Sequence, residues 1–181
     1  MNEGLIPSRY AKALYLYADE AGEAASVYGQ TERLAAGFEA HPQMARAVEN
    51  PFLPLADKLQ LLLVAAGAAK DGCLDKFFKL VFSHGREAFM RSMALAYGKR
   101  YRDVNRISQV EIVTASELDK AAIDKIKDSV QTHLQGRTLE YRQRVDASLI
   151  GGFTVRVDGE VLDASMSYDL RKLRLKLLSK K

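Results

Sequence analysis

Apolar residues recur at helical spacing through the first hundred positions. After that they fall into shorter, β-branched runs. Tyr10, Ala13, Leu14 and Tyr17 share one helical face. Pro7 and Ser8 stand at the expected start of that helix, and Gly22 ends it. A second helix is expected from about Glu23 to Phe38. "HPQMARAV" predicts a short third, with Pro42 in its first turn. Pro51 and Pro54 precede a fourth, stopped by Gly67 or Gly72. In "CLDKFFKLVFSHGRE" a fifth places Phe77, Leu80, Val81 and His84 on one face, with Gly85 past its end. A sixth aligns Phe89, Met93, Ala96, Tyr97 and Tyr101. Short loops between six helices predict an antiparallel bundle over residues 1–105.

The period changes near Asn105. "ISQVEIVTA" predicts a strand around Ile107, Val110 and Ile112. An amphipathic helix follows, capped by Ser116 or Asp119, with Leu118, Ile123, Ile126, Val130 and Leu134 apolar. "RTLEYRQRVD" sets Leu139, Tyr141, Gln143 and Val145 against charged neighbours, as in a half-exposed strand. "FTVRVDGEVLD" predicts a hairpin turning at Asp158-Gly159. A last helix aligns Met166, Leu170, Leu173 and Leu177. Residues 106–181 therefore read as a small α+β domain with a hairpin and a final helix. The fold class as a whole is mainly α.

Between these elements lies "VDASLIGGFTVRVDGEVLDAS". Its adjacent glycines raise the question of a phosphate cradle. A phosphate loop needs a Gly-Lys-Ser/Thr ending at a helix start, whereas "SLIGGFTV" runs into a strand. Glycines in a strand mark a bulge or a close backbone approach. Asp146 and Ser148 form a local turn, Leu149 and Ile150 are expected to point inward, and Gly151-Gly152 redirect the chain. Asp146 and Asp163 are candidates for a carboxylate pair, but no accompanying nucleophile or His is in view. Asp163 or Ser165 reads instead as the cap of the last helix.

Composition narrows the remaining chemistry. The 181 residues are 48% hydrophobic and 28% charged, as in an ordinary globular chain. The longest uninterrupted apolar run, Leu61 to Ala69, is far below the roughly 20 residues that span a bilayer. With no leader pattern, a cytosolic protein, or one on a cytosolic membrane face, is expected. Cys73 is the lone cysteine and is read as a small buried or half-buried residue. His41, His84 and His133 lack metal-ligand spacing. The net charge is +4, and residues 171–181 carry six basic and no acidic side chains. That tail suits an acidic partner, an anionic surface, or the dipole of a helix end. A nucleic-acid face on "EYRQRV" and the tail is the alternative reading, but Tyr141 is alone where RNA-binding sheets present paired aromatics. The fifth helix is apolar on more than one stripe. It is either fully central or offers a surface to a partner helix.

Four segments carry a resemblance over nearly the whole chain. They are "RYAKALYLYA", "NPFLPLADKLQLL", "HGRE" and, most specifically, "VDASLIGGFTVRVDGEVLDASMSYDLRKL". The chain resembles the delta-subunit family of the bacterial proton-translocating ATP synthase, which is similar to the mitochondrial oligomycin-sensitivity-conferring protein. Asp146, Leu149, Ile150, Gly151, Gly152, Phe153, Asp163 and Ser165 sit as in the family pattern. "HGRE" departs where Asn-Gly-Arg is more usual. Met166, Tyr168 and Asp169 stand where smaller or basic residues are common.

The resemblance implies a non-catalytic stator subunit that links the catalytic head to the peripheral stalk, so that rotation is coupled to ATP synthesis. It implies no catalytic residue, cofactor or metal. Its N-terminal bundle would hold the N-terminal helices of the alpha subunits in a groove between the first and fifth helices. The residues carried into that groove are Tyr10, Ala13, Leu14, Tyr17, Phe77, Leu80, Val81 and His84. The C-terminal part would bind the b subunits of the stalk, with Arg171, Arg174 and Lys176 on its last helix. One copy per complex is implied, peripheral at the cytoplasmic face of the bacterial inner membrane, with no membrane insertion and no nucleic acid.

Overall fold

The computed structural model describes residues 4–116, 120–133, 136–158 and 160–178. Leu118, Asp119, Leu134 and Gly159 lie outside the described residues, as do the side chains of Ile126, His133 and Lys176. The chain divides into two compact units, Met1–Val104 and Asn105–Lys181. It is mainly helical, with a small four-stranded sheet in the second unit.

The first unit contains α1 (Leu5–Glu20), α2 (Ala24–Ala40), α3 (Pro42–Glu49), α4 (Leu55–Ala66), α5 (Cys73–Ser83) and α6 (Met90–Asn105), whose last residue crosses the unit boundary. Helix α1 begins before Pro7, which lies inside its first turn, where its missing N–H costs no intrahelical bond. Gly67 closes α4 in the left-handed conformation, φ +61°. A short 3₁₀ turn, Glu87–Phe89, precedes α6, so the sixth helix starts later than its apolar period suggests. The core gathers Leu14, Leu34, Leu62, Phe78, Val81, Met93 and Tyr97, all buried. The Tyr97 hydroxyl donates to the Ala24 carbonyl at 3.0 Å, so this phenol enters the core with its polar tip paired.

The second unit comprises β1 (Ile107–Thr114), α7 (Lys120–His133), β2 (Thr138–Val145), β3 (Gly152–Val157), β4 (Glu160–Ser165) and α8 (Met166–Leu178). The sheet order is β2-β1-β3-β4. β1 pairs with β2 in parallel through the α7 crossover, Val110 opposite Tyr141. It pairs with β3 in antiparallel fashion, Ile112 opposite Val155. Val110, Ile112 and Val155 form a small core, with Val130 of α7 and Leu139, Tyr141, Phe153 and Val157 packed against it.

One expectation is corrected here. Ile150 is 68% exposed rather than inward. The 3₁₀ turn Ala147–Leu149 ends with the Ile150 N–H bonded to the Ala147 carbonyl and φ at +64°, and the side chain leaves the core. On β2 only Leu139 and Tyr141 reach the small core, while Val145 runs past it into solvent. The apolar side of α8, with Met166, Leu170, Leu173 and Leu177, is exposed.

Candidate functional site

Helices α1 and α5 pack side by side and run antiparallel, as two cross-helix bonds show. The Tyr10 hydroxyl lies 2.9 Å from His84 Nδ1. One turn apart on each helix from the middle of this face, Lys76 Nζ donates to the Tyr17 hydroxyl at 3.0 Å. Tyr10, Ala13 and Tyr17 are spaced three and four residues apart, and so share a face. Lys76, Leu80 and His84 are each four apart. The antiparallel register therefore sets Ala13 across from Leu80 between two polar rungs. Tyr10 also meets Phe77 edge to face, with ring centroids 6.3 Å apart.

Burial sorts the sequence-predicted residues into two classes. Leu14 is 3% exposed and Val81 is 0% exposed, so both belong to the core and present no surface. This corrects their assignment to the groove. The helical period places them one step around from the accessible stripe, on the side that carries Ala11, Ala18, Leu74 and Phe78. Phe77 is also buried and supports Tyr10 from below. Tyr17, at 41%, and Leu80, at 46%, are open. Ala13 and His84 are exposed and Tyr10 is half-buried. Ala13 contributes a single methyl between two tyrosines.

Lys76 was not singled out in the sequence, where it reads as a solvated helix charge. Its ammonium sits 5.8 Å from the centre of the Tyr17 ring. The bond to Tyr17 holds its pKa above the ordinary lysine value. The signal that finds it is the four-residue spacing Lys76–Leu80–His84.

In the second unit, the glycine motif works as a joint. Asp146 accepts from the Ser148 N–H at 3.0 Å, while its own N–H donates to the Thr114 carbonyl at 2.8 Å. Gly152 has φ +78°, and a Cβ there would run into the Ala164 carbonyl. The Gly151 carbonyl accepts from the Met166 N–H at 3.0 Å, which ties the joint to the start of α8. Phe153 pairs with both Thr114 and Ala164 and rests on the small core. Asp163 accepts from the Ser165 N–H at 3.0 Å, and buried Ser165 caps α8 by accepting from the Tyr168 N–H at 3.2 Å. Of the two caps proposed from sequence, Ser165 caps α8, while Asp163 braces the turn before it. The hydrogen bonds from Ser148 and Ser165 hold the Asp146 and Asp163 carboxyls below the usual carboxylate range. Each carboxylate is committed to its own turn, and the two do not form an acid/base pair.

On α8, Arg171 and Arg174 are exposed beside exposed leucines. On β2, Tyr141 is not open for stacking. Its hydroxyl donates to the Lys127 carbonyl at 3.3 Å and the Lys127 ammonium lies 5.2 Å from its ring centre. Among the described residues, no group of three or more His, Cys, Asp or Glu side chains is placed to hold a metal ion. No described helix is long and apolar enough to cross a membrane.

The family model for the ATP synthase delta (OSCP) subunit matches residues 6–177. The chain is 34% identical over 178 residues to the ATP synthase subunit delta of Phocaeicola vulgatus, covering 98% of this chain and 96% of that one. It is also 34% identical over 178 residues to that of Parabacteroides distasonis, covering 98% of each. In three dimensions it is similar to a chain in the cryo-EM structure of the Toxoplasma gondii mitochondrial ATP synthase hexamer. The TM-score is 0.72 at 20% identity, over 95% of this chain and 97% of the other, a likeness of fold.

Proposed function

The chain belongs to the ATP synthase delta (OSCP) subunit family, and we propose that its α1/α5 face receives an apolar helix of the catalytic head. Within that family it serves as a stator subunit, linking the head to the peripheral stalk. In this reading the first unit is a six-helix antiparallel bundle whose partner is the N-terminal helix of an alpha subunit. The second unit takes the end of the b subunits. One copy serves each complex, peripheral at the cytoplasmic face of the bacterial inner membrane. Its role is attachment, and the chemistry of ATP synthesis stays with other subunits.

The observation that carries the first half is the framed face: rungs Tyr10–His84 and Tyr17–Lys76 around exposed Leu80 and Ala13. An incoming helix would bury Leu80 and the Tyr17 ring, and could hydrogen-bond at each end to groups already ordered. Aromatic anchors of this kind dominate helical interfaces. The second half is supported by α8, where Leu170, Leu173 and Leu177 are exposed alongside Arg171 and Arg174. That combination suits a stalk helix with apolar and acidic positions.

A stator must resist torque, so slow dissociation is required, and a nanomolar contact corresponds to about −12 kcal/mol. The test is calorimetric titration of the full chain with a peptide of the cognate alpha subunit's N-terminus, at low and high salt. Tight binding that survives high salt is expected. A folded chain that binds no such peptide, or whose binding collapses with salt as phosphate-type contacts do, overturns the reading.

A further inference from the structure

The two lysines of α5 have different fates. Lys79 Nζ lies 2.8 Å from Asp75 Oδ2 and 3.6 Å from Asp71 Oδ1, so its charge is matched within the chain. Lys76 is exposed, and its ammonium donates to the Tyr17 hydroxyl at 3.0 Å. A phenol is a neutral acceptor, and among the described residues no carboxylate is in ion-pair contact with Lys76. An ammonium has three donors. The Tyr17 hydroxyl takes one of them and leaves the charge itself unmatched.

This cation is held in place rather than left to swing. Tyr17 engages it twice, through the hydroxyl bond and through the ring, whose centre lies 5.8 Å from Nζ. Lys76 stands four residues before Leu80, about one turn and roughly 6 Å along α5. A helix that covers exposed Leu80 and the Tyr17 ring therefore runs over or beside this ammonium. Covering it strips water from a charge, which is unfavourable unless an acceptor takes the water's place.

We infer that Lys76 selects the incoming helix by charge, and that this helix carries a carboxylate three or four residues from the apolar side chain that covers Leu80. The inference rests on the proposed use of the α1/α5 face. The spacing follows because a helix lying along α5 advances one turn between Leu80 and Lys76, and residues three or four apart share its face. The carboxylate accepts from the remaining ammonium donors in a charge-assisted bond. A helix with an apolar or basic residue at that position leaves the ammonium covered and unpaired. Discrimination then comes as much from disfavouring the wrong helix as from attracting the right one.

The experiment is calorimetric titration of the full chain, as wild type, Lys76→Met and Lys76→Arg, with the alpha-subunit peptide. The same titrations use peptides in which each Glu or Asp in turn is replaced by Gln or Asn. Lys76→Met keeps the aliphatic stem and removes the charge. It should weaken the native peptide about fivefold or more, and Lys76→Arg should restore most of that loss. One amide-substituted peptide should bind wild type about as weakly as the native peptide binds Lys76→Met, with little further loss when the two changes are combined. If Lys76→Met does not fold by circular dichroism, the amide-substituted peptides decide on wild type alone, where one of them must lose about fivefold or more. Unchanged affinity in folded Lys76→Met, or no single peptide carboxylate that matters, overturns this inference and leaves the α1/α5 face as the docking site. No binding of the native peptide to wild type overturns both.

Discussion

Lys79 Nζ donates to Asp75 Oδ2 at 2.8 Å from one turn along α5, and the same carboxylate oxygen accepts from the Asp71 N–H at 3.0 Å. Asp75 sits in the first turn of α5, where a carboxylate also meets the positive end of the helix dipole. The Lys79 bond, ahead of the opposing effect of burial, holds its pKa below the ordinary aspartate value. A depressed folded-state pKa contributes stability that is present above the unfolded value and is lost as pH falls through the folded one. Denaturant melts at neutral pH and near pH 3 should therefore show a loss of stability in acid. Asp75→Asn should destabilise the neutral protein by about 1–3 kcal/mol and shrink that acid-linked loss. An Asp75→Asn protein with the wild-type pH dependence would refute the assignment.

Leu14 and Leu80 lie on neighbouring helices but have opposite fates. Leu14 is core and Leu80 is half open. Leu14→Glu buries an unpaired charge and should unfold the first unit, so any loss of binding in that variant reports folding. Leu80→Glu should change stability by no more than about 0.5 kcal/mol, as surface substitutions do, while weakening the alpha-subunit peptide. Circular dichroism separates the first effect from the second, and calorimetry measures the second. A Leu80→Glu chain that binds like wild type would remove this face from the interface.

Gly151 and Gly152 are adjacent but not equivalent. A Cβ on Gly152 meets the Ala164 backbone at a positive φ, and backbone cannot yield. A Cβ on Gly151 meets the Met166 Sδ at 2.6 Å, the far end of a flexible side chain. Gly152→Ala should cost well over ~1 kcal/mol and loosen the β3–β4 hairpin, whereas Gly151→Ala should cost less. Thermal melts followed by NMR of the Phe153 and Ala164 amides check the order. Equal costs would mean that the sheet shifts to make room.

The helices were legible because their apolar residues repeat at 3.6, and Gly67 and Gly85 announce their ends by chemistry. The phase of each helix was less legible. In α1 the stripe Tyr10, Ala13, Leu14, Tyr17 straddles the boundary between core and surface, and only packing against its neighbours decides that Leu14 goes in and Tyr17 stays out. The parallel pairing of β1 with β2 depends on contacts some thirty residues apart that leave no local mark. Ile150 misled because apolarity suggested burial, while the turn's φ carries it outward. Lys76 went unnoticed in the sequence. A charged side chain in a sequence reads as solvated until its neighbours are known.

Cys73 opens α5, a position that ordinarily lowers a thiol pKa. Here burial, followed by a hydrogen bond with Glu23, pushes it up to about 11. At pH 8 the native thiol should react with an aromatic disulfide reagent far more slowly than the unfolded chain does. Comparable rates would show that α5 opens readily at its first turn.

Ser108, Arg137 and Asp158 form a closed triangle at one end of the sheet. Buried Ser108 donates to Asp158 Oδ2 at 2.7 Å, and Arg137 donates to both, at 2.8 Å and 2.7 Å. Asp158 was expected only as a turn former, and its φ of +46° fits that role, yet its carboxylate also clamps the start of β1. The clamp joins residues fifty positions apart, where the loop entropy it offsets is largest. Because Ser108 is buried, Asp158→Ala leaves its hydroxyl proton without that acceptor and should cost about 1–3 kcal/mol. Arg137→Ala leaves the Ser108–Asp158 bond in place and should cost less, since the arginine is partly exposed and its ion pair is screened. In a double-mutant cycle the two losses should be non-additive by about 0.5 kcal/mol or more. Strict additivity would mean that the triangle is three independent contacts rather than one clamp.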